Sequence, residues 1–153
     1  MQLREVVRAR RMVRAYDPDR AVPEHVLATV LEHATHAPSA GFSQGWDFVV
    51  LASEPERECF WAASTDVGAT PDTWLQGVRT APTLVVCCSD PQAYLRRYAE
   101  ADKRGSPRGG APEDAEGRWP VPYWDLDTAM AALLMLLTAV DQGLGGLFFA
   151  VPP

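Results

Sequence analysis

The chain has 153 residues, 47% of them hydrophobic and 22% charged, the make-up of one globular domain with a core of its own and too little chain for a second. Its net charge of -6 and isoelectric point near 5.0 exclude a surface built as a whole to attract nucleic acid or anionic membrane, so an anion site must be local. The three cysteines, Cys59, Cys87 and Cys88, are odd in number and two are adjacent in an apolar run, which suits reduced thiols and a cytoplasmic setting better than a disulfide framework.

In chain order, Leu3, Val6 and Val7 at helical spacing predict a short first helix that gives way near Arg10 and Arg11, and Tyr16-Asp17-Pro18-Asp19 then reads as a turn. Arg4, Arg8, Arg10, Arg11, Arg14 and Arg20 stand against only Glu5, Asp17 and Asp19 here, a basic start on an acidic protein. Pro23 suits the first turn of a second helix, whose Val26, Leu27, Val30, Leu31 and Ala34 make one apolar face until Pro38 ends it. Residues 46–51, WDFVVL, predict a strand, and Ser53 with Glu56 is a capping-box start for a helix through Ala63. A shorter helix follows at 72–80. The run TLVVCC at 83–88 predicts a second strand buried on both faces, and Asp90-Pro91 starts a helix through Tyr94, Leu95 and Tyr98.

Residues 103–122, rich in glycine, proline and charge, read as the most mobile loop. Tyr123-Trp124-Asp125 leads into AMAALLMLLTAV, a helix apolar all round that Gly143 can terminate and that belongs at the centre of a core. Its apolar run is too short to span a bilayer and the N-terminus lacks the apolar stretch of a leader, so no targeting or membrane segment is expected. LFFAV at 147–151 predicts a third strand, giving a mixed α+β chain in which helices dominate.

Several residues invite chemical readings. Gly41 to Gly45 spells G-x-S-x-G, but a nucleophile elbow needs a strand before its serine and a histidine after it. Ser43 has a helix before it, and His25, His33 and His36 all lie upstream. His33, His36 and Glu32 fall on the polar side of the second helix with no further ligand to complete a metal set, so they read as a solvated face. Asp125 and Asp127 read as charges favoured by a helix N-terminus, and Gly143-Leu144-Gly145-Gly146 as a helix stop. Trp119, Tyr123 and Trp124 could equally cover a planar ligand or anchor a loop. Arg10, Arg11 and Arg14 can offer forked donors to a phosphate or a delocalised anion.

Taken together, Arg10-Arg11-Met12-Val13-Arg14-Ala15-Tyr16, Pro23-Glu24, the segment from Ala37 through Pro38-Ser39-Ala40-Gly41-Phe42-Ser43-Gln44-Gly45 to Trp46, and Gly143-Leu144-Gly145 before an aromatic strand resemble the nitroreductase family of FMN-dependent oxidoreductases. The resemblance implies a single domain over residues 1–153: an α/β/α sandwich with a central, mainly antiparallel sheet flanked by helices, working as an intertwined homodimer. It also implies FMN as cofactor, NADH or NADPH as electron donor and a small-molecule acceptor, with no nucleic acid, membrane or metal. By the same resemblance Arg10, Arg11, Met12 and Arg14 contact the phosphate, ribityl and pyrimidine side of the flavin. Pro38, Ser39, Ala40, Gly41 and Gln44 approach the flavin of the partner subunit, and Phe148, Phe149 and Ala150 lie near its reactive edge. Phe42, Tyr123 and Trp124 line the substrate pocket.

Three positions depart from the family pattern: Met12 stands for a serine, Phe42 for an asparagine and Gly45 for a proline. Family members also carry on past Pro153, with a basic residue that helps to hold the phosphate and a tail that embraces the partner. On this reading the chain is either a fragment or a shortened member with weakened flavin binding.

Overall fold

The computed structural model describes residues 1–65, 72–103, 105 and 119–150. Six helices and two strands follow in the order α1 (Leu3–Ala9), α2 (Glu24–Thr35), a 3₁₀ turn (Ala40–Phe42), β1 (Trp46–Leu51), α3 (Glu54–Ser64), α4 (Thr73–Val78), β2 (Leu84–Ser89), α5 (Pro91–Tyr98), a second 3₁₀ turn (Ala101–Lys103) and α6 (Tyr123–Asp141).

The helix starts obey local chemistry. Glu56 reaches back to accept the Ser53 N–H at 2.9 Å at the head of α3, Asp72 accepts the Leu75 N–H at 2.7 Å at the head of α4, and Asp90 accepts the Gln92 N–H at 2.8 Å at the head of α5. At the far end of α6, Gly143 takes φ +77° and donates its N–H to the Val140 carbonyl, so the expected helix stop is a left-handed C-terminal cap.

Strands β1 and β2 pair antiparallel, with Trp46 opposite Ser89 and Leu51 opposite Leu84. The pleat turns Trp46, Phe48, Val85 and Cys87 toward α2 and α6, where they meet Val30, Ala34, Ala37, Ala131 and Met135 in the main core. The expected α+β class is borne out, with helices packed on a small antiparallel sheet. The expected two-sided burial of the second strand is not. Val85 and Cys87 pack inward, but β2 is at most half-buried, and Val49 on the outward face of β1 is 49% exposed. Two strands have too little width to be covered on both faces by the described elements.

The third predicted strand is also corrected. Only Gly146 pairs, in a single parallel bridge to Met12, and residues 147–150 run on without a ladder. Their aromatic side chains pack instead, Phe149 stacking on Trp61 at 6.0 Å and meeting the edge of Trp74 at 5.6 Å. Val151 lies outside the described residues, as does most of the loop predicted at 103–122.

Helix α6 differs from expectation in the most consequential way. It packs on α2, α1 and both strands through Asp127, Thr128, Ala131, Ala132, Met135 and Thr138. Its opposite face leaves Leu126 48%, Met130 37% and Leu133 49% exposed. A helix apolar all round is therefore half in the core and half on the surface of one chain. By length and composition alone it could cross a membrane, but it carries a buried carboxylate that the fold uses.

Candidate functional site

The segment that carries the G-x-S-x-G string is a tight turn with an unusual backbone. Gly41, Phe42 and Gln44 have φ of 64°, 59° and 50°. For a bulky residue such as Phe42 that conformation is strained, and strain persists only where surrounding bonds over-determine it. Here they do. The Ala40 N–H donates to Asp127 Oδ2 at 2.8 Å, the Phe42 N–H to the Ser39 carbonyl at 3.0 Å, and the Gln44 N–H to Ser39 Oγ at 3.0 Å. Arg97 Nε donates to the Gly41 carbonyl at 2.9 Å. Ser43 Oγ is spent on the Ala40 carbonyl at 2.7 Å, with no imidazole bonded to it among the described residues, which disposes of the nucleophile reading.

Glycine is required at two points of this turn. A Cβ on Gly41 would lie 2.6 Å from the Tyr98 ring, and one on Gly45 would lie 2.6 Å from the Tyr94 ring and 2.8 Å from the Asp90 carbonyl oxygen. Helix α5 thus presses its aromatic side against the turn, while Phe42 projects outward, 74% exposed. Pro38 and Gln44 are exposed, and Ser39, Ala40 and Gly41 are half-buried.

Asp127 corrects its sequence reading. It is no exposed helix-end charge but a carboxylate only 2% exposed, whose Oδ2 accepts both the Ala40 N–H and the Tyr94 hydroxyl, the latter at 2.7 Å. Tyr94 is itself fully buried, and burial first, then the bond to Asp127, pushes its hydroxyl far above the usual phenol range. Asp125 accepts from Ser89 Oγ at 2.6 Å. His33 is exposed, as the solvated-face reading has it, while its Nδ1 is bonded to the buried Thr138 Oγ1 of α6 at 2.9 Å.

The aromatic residues pack on one another. Trp119 is buried and meets Tyr94, Tyr98, Tyr123 and Trp124 edge to face at 4.9 to 6.2 Å. Tyr123 and Trp124 are half-buried, so each still offers part of a ring beside the turn's supporting helix.

The arginine segment lies elsewhere. The Val13 N–H donates to the Gly146 carbonyl at 3.0 Å, and Gly146 backs onto Leu136 of α6. Gly77 of α4 is so close that a Cβ there would sit 2.1 Å from the Arg14 carbonyl oxygen. Tyr16 fixes the exit, its hydroxyl donating to the Val13 carbonyl at 2.7 Å and its N–H to Thr80 Oγ1 at 2.8 Å. Burial pushes that hydroxyl's pKa up, against the smaller opposite effect of Arg14.

The guanidinium groups have thin partnerships. Arg11 Nη1 reaches the Arg8 and Arg10 carbonyls at 2.6 and 2.9 Å, and Arg14 Nη1 reaches the Met12 carbonyl at 3.0 Å. Arg10 Nη1 is buried with no hydrogen-bond partner among the described residues. No carboxylate pairs with any of the three among those residues. An open cleft of about 730 Å³ runs alongside, with Val13, Arg14 and Ala15 on one wall and Thr73, Trp74, Gln76 and Gly77 on the other. Sequence reading missed Trp74 and Gln76, because a short helix with no motif gives no sign of facing a basic segment. Phe148 and Ala150, exposed, and Phe149, packed on Trp61, flank the same segment. A second groove, of about 350 Å³ and lined by residues that include Leu31, Trp46 and Phe48, contains none of the predicted site residues.

The predicted site residues therefore form two groups. Among the described residues no hydrogen bond joins the turn to the arginine segment. Along α6 the turn is tied at Asp127 and the arginine segment rests at Leu136, about 14 Å further on at 1.5 Å per residue.

Solved structures share this fold. A nitroreductase family protein from Clostridium novyi NT superposes with TM-score 0.69 at 19% identity, over 100% of this chain and 72% of its own. A protein from Desulfovibrio desulfuricans, provisionally named a nitroreductase and solved in complex with FMN, superposes with TM-score 0.67 at 22% identity, over 99% and 69%. In sequence, a protein from Methanothermobacter thermautotrophicus provisionally named NADH dehydrogenase/NAD(P)H nitroreductase is 26% identical over 155 residues. The alignment takes in all of this chain but only 63% of that relative's length. The family model for nitroreductases matches residues 7–152, and on that match the chain belongs to the nitroreductase family.

Proposed function

We propose that the protein is an FMN-dependent NAD(P)H oxidoreductase that works by ping-pong, taking a hydride from NADH or NADPH and passing it to a nitroaromatic, quinone or similar acceptor. The flavin, when bound, supplies the hydride chemistry, so no side-chain acid or base is required. The observation that carries this reading is the arginine segment. Three guanidinium groups without a carboxylate among the described residues, one with a buried and unpartnered Nη1, lie on a segment whose Arg14 lines a cleft, in a protein of net charge -6. A phosphate and a ring with carbonyl oxygens would supply what these donors lack, in the forked geometry that arginine favours. The FMN held by the Desulfovibrio desulfuricans structure and the NAD(P)H in the relatives' names support the same assignment.

In this reading Arg10, Arg11 and Arg14 hold the anionic parts of the cofactor, and the backbone of Met12, Phe148, Phe149 and Ala150 closes around it. Trp74 and Gln76 complete the cleft wall. Pro38, Ser39, Ala40, Gly41 and Gln44 come from a second copy of the chain, and Phe42, Tyr123 and Trp124 line the acceptor pocket. The separation of turn and arginine segment supports a homodimer, as does the uncovered stripe of Leu126, Met130 and Leu133 on the outer face of α6. The three unbridged thiols support a cytoplasmic setting.

The test is a visible spectrum. Protein purified with excess FMN and desalted is expected to be yellow, and NADH or NADPH added anaerobically is expected to bleach it. A colourless protein that gains no flavin band overturns the reading. Flavin that neither nucleotide bleaches leaves a flavin-sequestering dimer in place of the enzyme. Leu133→Asp is expected to convert a dimer to monomer by sedimentation, and a wild-type monomer would remove the second copy from the site.

A further inference from the structure

The Asp127 carboxylate is buried, on the inward face of the first turns of a helix that is otherwise largely apolar. A buried carboxylate is costly unless its oxygens are satisfied, and both bonds recorded for it go toward the turn: directly to the Ala40 N–H, and through Tyr94 to the helix on which the turn rests. Gly45 and Gly41 leave room for the rings of Tyr94 and Tyr98, and Arg97, paired to Asp102 at 2.8 Å, holds the Gly41 carbonyl. These contacts converge on Gly41 to Gln44, where Phe42 and Gln44 hold positive φ. They fix a shape the turn would not keep alone.

Resting on the flavin and dimer reading above, we propose that Asp127, with Tyr94 and Arg97, is a positioning residue that acts in trans: it shapes the turn of one copy so that backbone meets the flavin held by the arginines of the other. Asp127 does not touch the cofactor. Its effect passes through the Ala40 N–H, and it falls on a site whose cationic half belongs to the second chain.

The design makes a complementation experiment decisive. Tyr94→Phe keeps the buried ring and removes one bond to Asp127, and Arg97→Met at a half-buried position removes the bond to Gly41 without touching the core. Each is expected to raise the FMN dissociation constant about tenfold, the effect of losing one charge-assisted hydrogen bond. Each is also expected to speed exchange of the turn's backbone amides in the cofactor-free protein, Ala40 among them. Arg11→Ala alone weakens binding by a similar factor. In mixed dimers of Arg11→Ala with Tyr94→Phe, one site collects both defects and the other collects none, so half the sites are expected to regain wild-type affinity in a fluorescence titration. A merely structural role for Tyr94 gives no such recovery, because the restored site uses the arginines of the variant chain. The proposal is overturned if wild type binds FMN and both Tyr94→Phe and Arg97→Met bind it equally well, or if the mixed dimers regain no high-affinity sites. If wild type itself takes up no FMN, the functional reading has failed, which is a different result from either.

Discussion

The two halves of the candidate site are built on opposite principles. The turn at residues 38–46 is saturated: its backbone and hydroxyl groups are engaged by Asp127, Arg97 and one another, and its strain is held in place. The arginine segment is held by its backbone through Gly146, Gly77 and Tyr16, while its charged ends find only carbonyl oxygens or nothing. A preorganised surface favours approach of a flat ring without further ordering, whereas unneutralised guanidiniums gain most when an anion arrives. The contrast assigns the turn to shape and the segment to charge.

Each half can be broken separately. The largest expected effect is on the arginine side. Gly77→Ala places a Cβ 2.1 Å from the Arg14 carbonyl oxygen, backbone against backbone, and is expected to cost about 3 kcal/mol even after the helix-propensity gain. A calorimetric midpoint lowered by roughly 10 °C, with flavin retention lost, is the expected result. Next come Arg11→Ala and Arg14→Ala. Each is expected to raise the FMN dissociation constant about tenfold with an unchanged melting midpoint, and unchanged affinity in both would refute the division between shape and charge.

On the turn side, Phe42→Gly relieves a left-handed φ at an exposed residue and is expected to stabilise the fold by roughly 0.5–1 kcal/mol. It is also expected to raise KM for an aromatic acceptor. A variant less stable than wild type would show that the Phe42 ring is packed and not presented.

The smallest effect is acidic. Arg97, by its bond to the Asp102 carboxylate, holds that group below the ordinary aspartate range. A depressed folded pKa means the pair supports the fold above the unfolded pKa and ceases to as pH falls through the lower folded value. The difference in melting midpoint between wild type and Asp102→Asn should therefore be constant near neutrality and vanish in that acidic window. A difference that persists below it would uncouple the pair from the turn.

Much of this was legible in the sequence where local chemistry decides. Capping residues placed α3 and α5, β-rich composition placed β1 to the residue, and Gly143 marked the end of α6. What failed was non-local. LFFAV has every local sign of a strand, but its Phe149 ring packs on Trp61 and Trp74 and, next to it, only Gly146 finds a strand-like partner. Asp127 looked like a helix-end charge because nothing adjacent announces Tyr94 or Ala40, which approach from other parts of the chain. The uniform apolarity of α6 showed burial without showing that two different surfaces are involved. Within the site, the residue types were readable, and the family resemblance already set the turn apart from the arginines by placing it against the partner's flavin.

The pairing of Met12 with Gly146 has a further consequence for how the protein comes to be folded. The turn can close once α5 and the start of α6 are made, over separations of 56 and 87 residues. The arginine segment has to wait longer, because Met12 and its partner Gly146 are 134 residues apart (146 less 12). At about 5–20 residues per second, a ribosome leaves that basic segment unpaired for on the order of ten seconds. Shape is therefore acquired before charge is ordered, and the nascent chain carries an unpaired cationic segment until Gly146 has been made.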